Sequence, residues 1–438
     1  MKKTFMVFAS VVLGLGSLSA NASSPELLPA REVEARDGIG HVLRKIDAGR
    51  EVRIAYFGGS ITAMDGWRRL SREWLQGEFP KARFTEIAAS IGGTGSGLGV
   101  FRLRKDVLDR KPDLVFVEFA TNDRGSSAEE IWRNFDGIVL QIWAADPEID
   151  IVFVHTVTEP ALPDYRKGLH SAPATAMEML AAHYGIPSIG FGPRVAKAVQ
   201  DGRLVMSLGE FATAVPKETP DRDRVIGERL KAEGKVLFAK DGVHPTLDGH
   251  GLYLESIKAA FAAWRGLPPA DHRAKASKPY FDGRFAKARM VPVGSGMCKG
   301  RSWKLHDGKG EFAWAHDRIG DVWEASEPGD ALEFTFRGSY CSIYDLIGPA
   351  CGRVRITVDG KPRPAPVDRF DKYCSYYRLA GFLVYSGEEG VHAVRIELDR
   401  EQPDRSLVLW RNPKENIASP KYSGTRLLVG QIELVGEL

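Results

Sequence analysis

Cysteine is scarce in this chain: four residues in 438, Cys298, Cys341, Cys351 and Cys374, all in the last third. That scarcity excludes a disulfide knot, and no two of them stand at zinc-site spacing with nearby histidines, so no structural metal is indicated. An excess of one charge is also missing. The 60 basic and 57 acidic residues leave a formal charge of +3, too near balance for a protein that grips nucleic acid through a general basic surface. Repeats and low-complexity tracts are absent, and 46 Gly and 25 Pro within a 43% hydrophobic chain exclude collagen and disorder as the main state. Beyond the N-terminal stretch no run is long and apolar enough to cross a membrane. What remains is a globular composition, long enough for two or three compact units.

The first residues are read apart from the fold. Lys2 and Lys3 precede an apolar run from Phe5 to Leu18, followed by Ala20-Asn21-Ala22. The run, about 14 residues, is short of the roughly 20 that span a bilayer. The pattern predicts a secretory signal at residues 1–22, cleaved near Ala22, and a mature protein in the periplasm or outside the cell. The first cysteine is Cys298, so none is available for a lipid anchor at the cleavage site. In an exported protein the four cysteines can oxidise; three pairings exist, and Cys341 with Cys351 is not assumed, because they are expected to begin two successive strands at opposite ends of a hairpin.

Two periodicities follow. From residue 50 to about 265, apolar runs at Arg53–Phe57, Phe84–Ala89, Asp113–Ala120, Asp150–Val157 and Pro187–Phe191 alternate with helical patterns at Trp67–Phe79, Val100–Asp109, Ala128–Ala145, Ala174–Tyr184 and Leu247–Trp264. That alternation predicts a parallel sheet with helices on both faces. The charged segment 202–240 reads as an insertion, a short-helix lid. Residues 266–280, opened by Gly266-Leu267-Pro268-Pro269, read as a linker between a 23–265 domain and a 281–438 domain. Past the linker the period becomes two, as in Leu332, Phe334 and Phe336, and Val354-Arg355-Ile356-Thr357-Val358 runs into the turn signal Asp359-Gly360. Further strands are expected at Val391–Leu398, Leu407–Trp410 and Leu427–Val435. Some eight strands predict an antiparallel β-sandwich.

Chemistry-bearing residues gather at predicted strand ends. The first strand runs into Gly58-Gly59-Ser60-Ile61-Thr62, the second into Ser90-Ile91-Gly92-Gly93-Thr94-Gly95, and the third into Phe119-Ala120-Thr121-Asn122-Asp123. The carboxyl edge of a parallel sheet is where ligands bind. Each block alone is also a common turn or helix cap, and without a lysine after Ser60 the first is no Walker loop. The fourth block, Asp241-Gly242-Val243-His244, precedes the last helix. An aspartate three residues before a histidine can turn its carboxylate onto the imidazole, which is what a serine needs to become a nucleophile.

These four blocks, in this order over roughly residues 50–265, resemble the SGNH, or GDSL-type, hydrolase family. The resemblance implies a flavodoxin-like α/β/α sandwich with a five-stranded parallel sheet. It implies Ser60 as nucleophile, Asp241 and His244 as its partners, and Gly93 and Asn122 as oxyanion-hole donors with the Ser60 N–H; Gly92 is the neighbouring choice for the glycine donor. One departure stands out, because the family's GDS reads Gly58-Gly59-Ser60 here. No metal or organic cofactor enters this chemistry.

Export and an appended β-sandwich, as in SGNH-like carbohydrate acetylesterases, lead to the expectation of a serine esterase acting on acetyl or similar esters of an acylated carbohydrate. The same residues would serve O-acetyl transfer, and a catalytically silent glycan-binding protein is the alternative from another class. His155, Thr156, Thr158 and Glu159 could line the same edge or merely end the fourth strand. His250 is expected to pack or to face solvent. Trp303, Trp314 and Trp323 are sugar-stacking or, more in keeping with a sandwich, core residues.

Overall fold

The computed structural model describes residues 25–209, 215, 216 and 218–438; the signal segment and its Ala22 site lie outside them. The chain opens with β1 (Val33–Glu34) and continues through β2 (Glu51–Gly58), β3 (Arg83–Ala88), β4 (Leu114–Glu118), β5 (Asp150–His155) and β6 (Ser188–Gly190). The sheet order is β1-β6-β5-β4-β2-β3. β2 to β6 are parallel, in flavodoxin-like order, and β1 adds an antiparallel edge. Every residue of β4 and β5 is buried, which is why these segments read as unbroken apolar runs.

Helices cover both faces: α1 (Gly40–Asp47), α2 (Ser60–Ala63), α3 (Trp67–Glu78), α4 (Ser96–Asp106), α5 (Ala128–Ala145), α6 (Leu162–Arg166), α7 (Ala172–Tyr184), α8 (Gly192–Gln200) and, last, Leu247–Trp264. Alternate residues of β2 divide between two cores. Ile54 and Tyr56 join Trp67, Phe116 and Tyr253 on one face, while Ala55 and Phe57 join Phe119, Phe135 and Phe153 on the other. α4 starts at Ser96, four positions before its sequence pattern, because the Asp123 carboxylate accepts the Ser96 N–H at 2.9 Å. That cap comes from another element, so local sequence does not show it. The insertion 202–240 pairs β7 (Leu204–Val205) with β8 (Val236–Leu237) and carries a helix, Arg222–Ala232, over a small core of Val205, Val215, Ile226 and Leu230.

The second domain is one ten-stranded antiparallel sheet folded over a main apolar core, with two smaller apolar clusters beside it. Its strands are β9 (Ala288–Pro292), β10 (Cys298–Lys299), β11 (Lys304–His306), β12 (Val322–Ala325), β13 (Ala331–Ile347), β14 (Arg353–Val358), β15 (Lys361–Pro362), β16 (Val367–Asp368), β17 (Arg378–Leu398) and β18 (Leu427–Glu437). β13 breaks register with its neighbours around Gly338–Tyr340 and Cys341–Ser342. Such bulges bend long strands and let one sheet close into a sandwich. Two expectations are corrected here. Leu407–Trp410 is not a strand but part of a short helix, Leu407–Arg411, whose apolar residues are largely outside the core, with Trp410 72% exposed. Cys341 lies in the middle of β13 and Cys351 beyond its end, rather than at two strand starts, and all four thiols are free.

Residues 266–280 pack onto the first domain. They carry a helix, His272–Ala276, whose His272 ring stacks on Trp143 with centroids 4.6 Å apart. The Asp136 carboxylate accepts the N–H groups of Tyr280 and Gly283 at 3.0 Å. Beyond them Phe285 and Tyr340 pack against Phe101 of α4, each with centroids 5.2 Å away. The contact between the two domains is therefore partly apolar, each such aromatic pair contributing about 0.5–1.5 kcal/mol beyond its buried area.

Candidate active site

Every element that meets at the sheet's carboxyl edge is tied to its neighbour. Ile91 N–H donates to Gly58 O at 3.1 Å, so the glycine-rich loop after β3 lies beside the Ser60 turn. The buried Arg102 guanidinium stacks on Phe57 at 4.4 Å and donates to both Ala89 O and Gly58 O, locking those two loops together. Asp123 does the same for the next pair through Ser96, and burial pushes its carboxyl up to about 6 against the opposing Ser96 hydrogen bonds. Gly92 abuts Ser60: a Cβ there would meet the Ser60 Cβ at 3.5 Å. Gly93 has φ +75°, a left-handed conformation that favours glycine. The Asn122 side chain lies directly against Gly59.

The fourth block closes on the first. His244 Nε2 is 2.8 Å from Ser60 Oγ, and its Nδ1 is 2.7 Å from Asp241 Oδ2. Asp241 Oδ1 accepts the N–H groups of Val243 and His244 at 2.9 and 2.8 Å. Partial burial raises the Asp241 carboxyl, but the hydrogen bonds from the His244 ring and from the two N–H groups outweigh it and hold the pKa down at about 2. Both side chains reach solvent, at 40% and 54% exposure for His244 and Asp241. Gly242 turns the loop at φ +75°, and its carbonyl accepts the Glu159 N–H at 2.7 Å. Thr246 then caps the Leu247–Trp264 helix through the Gly249 N–H.

Ser60, Gly93, Asn122, Asp241 and His244 thus meet at one edge. Of the other candidates, Gly92 abuts Ser60 and Glu159 lies against the Gly242 turn, while the rest are turned away from the serine. His155 is fully buried and bonds Glu178 at 2.6 Å, while Thr156 points to Glu118 at 2.7 Å. Thr158 is buried as well. His250 is buried against Gly66. Trp303 and Trp323 donate to the backbone carbonyls of Lys299 and Val293 and pack on the sandwich core; Trp314 is half exposed. Glu118 is the residue the sequence did not offer. It ends an apolar strand, and only its burial beneath the serine turn marks it.

Among the described residues one trio of potential metal ligands stands together, His41, Asp150 and His272. Asp150 begins β5, so the trio lies at the sheet's opposite end from Ser60. Both His41 nitrogens are engaged, with Ala270 O at 3.0 Å and Arg44 at 3.1 Å, and Asp150 accepts the Val42 N–H at 2.8 Å. Incubation with a chelator is accordingly expected to leave ester turnover unchanged. A loss restored by a divalent ion would count against a metal-free reaction.

A groove of about 780 Å³ opens beside the edge. One wall is the Gly93–Thr94 loop and α4; the other is the second domain, through Arg369, Asp371, Arg378 and Leu379.

Residues 56–252 match the GDSL-like lipase/acylhydrolase family. The α/β domain belongs to that family. The GDSL domain is a serine ester hydrolase, and its reaction is acyl ester hydrolysis. No curated protein sequence matches the chain. Among solved structures, a two-domain esterase (CEX) active on acetylated mannans, crystallised with mannopentaose, is 21% identical, with a TM-score of 0.65, over 91% of this chain and 94% of that one. The likeness extends the shared fold beyond the GDSL domain to the antiparallel domain. A lipase/acylhydrolase from Enterococcus faecalis is 19% identical with a TM-score of 0.31, over 50% of this chain and 98% of that one. Among the described residues no helix is long and apolar enough to cross a membrane.

Proposed function

We propose that this protein is an exported carbohydrate esterase that removes small acyl groups, acetyl foremost, from a polysaccharide or oligosaccharide. The observation that carries the chemistry is the continuous hydrogen-bonded chain from Asp241 through His244 to Ser60. Asp241 fixes the imidazole with its proton on Nδ1, leaving Nε2 to take the Ser60 proton as Oγ attacks the ester carbonyl. The oxyanion is met by the N–H groups of Ser60 and Gly93 and by the Asn122 amide, each donor contributing about 3 kcal/mol. His244 then returns the proton to the leaving sugar hydroxyl, and water, activated by the same imidazole, cleaves the acyl-enzyme.

Three features support a carbohydrate. The N-terminal basic and apolar pattern reads as an export signal, the fold is shared with an esterase active on acetylated mannans, and the groove beside Gly93 has room for several sugar rings. Among the described residues no long apolar surface helix points to lipid. Incubating the protein with a panel of acetylated polysaccharides and measuring free acetate tests the proposal. Acetate from at least one polymer, and none with Ser60→Ala, is the expected result; no release from any polymer alongside rapid cleavage of lipid esters would overturn the substrate class.

The pH profile follows from the same chain. Asp241, lowered to about 2, stays ionised across the working range. Its own titration should therefore contribute no step to the pH–rate profile within the range where the protein is folded. A step near neutral pH traced to the Asp241 carboxyl by NMR titration would contradict this assignment.

A further inference from the structure

Glu118 has no place in the reaction described above, yet it is fully buried directly beneath it. Thr62 Oγ1 donates to its Oε2 at 2.8 Å, and Thr156 Oγ1 donates to its Oε1 at 2.7 Å. The Gly59 N–H is a further donor on the same carboxylate. Thr156 Oγ1 in turn lies 2.8 Å from Thr121 Oγ1. Both Thr62 and Thr156 are buried, so neither hydroxyl has water as an alternative partner. The fit leaves no slack: a Cβ on Gly58 would lie 2.5 Å from the Glu118 carbonyl oxygen and 3.0 Å from Oε2.

The two ends of this chain are what matter. Gly59 and Thr62 flank Ser60, the source of the nucleophile and of one oxyanion donor. Thr121 immediately precedes Asn122, the source of another. Nothing in the backbone ladder fixes these two turns to each other, because β2 and β4 have both ended where the turns begin. We propose that Glu118 is a positioning residue, its carboxylate clamping the serine turn to the Thr121–Asn122 turn so that the oxyanion donors are held at a fixed separation. The inference rests on the reading of Ser60 and Asn122 given above. Burial raises the Glu118 pKa, while the three donors favour the ionised form that can accept all of them.

A clamp acts as a unit, so cutting either arm should release the turns and cutting both should do no more. Thr62→Val and Thr156→Val each remove one hydroxyl at nearly constant volume. Each should lower kcat on a small acetate ester about 10-fold with KM unchanged, since transition-state donors are displaced and the substrate's binding contacts are not. The double variant should fall no further than the worse single. Thr62→Ser and Thr156→Ser, which keep the hydroxyls, should retain kcat. Active-site titration with a phosphonate ester counts competent serines, which separates a lowered rate from a partly unfolded sample. Should both valine variants fail to fold, Thr121→Val remains, at a half-buried position whose change exposes no carboxylate; kcat is expected to fall about 3- to 10-fold.

Folded Thr62→Val and Thr156→Val proteins with unaltered kcat, losses that multiply in the double variant, or an unaltered kcat in Thr121→Val would each overturn the proposal. Persistent turnover in Ser60→Ala would instead overturn the assignment of the nucleophile. An inactive Ser60→Ala beside fully active threonine variants would sink only the clamp.

Discussion

Ser60→Ala is expected to lower ester turnover by about four to six orders of magnitude while leaving the fold intact. The side chain is half-buried and bonds only His244, so its loss leaves no buried polar group behind. The short helix α2 keeps its anchors, Ile61 in the core and Thr62 on Glu118. His244→Ala should be nearly as damaging, because the serine then has no base. Asp241→Asn should retain more activity than either, since it disturbs the tautomer and orientation of His244 rather than removing a reacting group. Steady-state kinetics on a chromogenic acetate, with unchanged circular dichroism and melting temperature, checks the series. Wild-type turnover in a contaminant-free Ser60→Ala sample would refute the assignment.

The second large effect runs against intuition, because it restores what the family's first block ordinarily carries. Gly59→Asp should reduce kcat by about 10²- to 10³-fold, and Gly59→Ala should do nearly the same. The reason is space and not backbone conformation. Gly59 has φ −91° and ψ −154°, which any residue adopts. A Cβ at that position, however, would stand 1.9 Å from Asn122 Oδ1 and 2.9 Å from its Cγ. Either Asn122 leaves the oxyanion site or the serine turn shifts, and both outcomes weaken transition-state stabilisation more than substrate binding. Asn122→Ala should reproduce the loss, and Gly59→Ala combined with Asn122→Ala should be no worse than Asn122→Ala alone. A Gly59→Ala enzyme with wild-type kcat would show that Asn122 does not supply a donor from where it stands.

In this protein the carboxylate beneath the serine turn comes from Glu118 on β4, and Asn122 lies against Gly59. No spacing rule connects residues 59, 118 and 122, so their meeting is decided in three dimensions.

Strand ends and long helices were legible from pattern alone, because β4 and β5 are buried on both faces and Ala128–Ala145 carries its own capping box from Ser127 and Glu130. Where the determinants are remote, pattern misleads. α4 begins early under the Asp123 cap, and Leu407–Trp410 has strand composition but lies outside the sheet in a short helix, with Val408 buried and Leu407 and Trp410 exposed. The sequence by itself determined the order of elements, the change of period near residue 280, and the residue types at four strand or loop ends, since those depend on local periodicity and turn chemistry. Only the tertiary structure decided which ends meet: the 2.8 Å approach of His244 to Ser60 across 184 positions, the packing of Phe285 and Tyr340 on Phe101, and the burial of Glu118 beneath two turns. These are contacts between segments distant in the chain, fixed by sheet order and core packing, and no local pattern of residues encodes them.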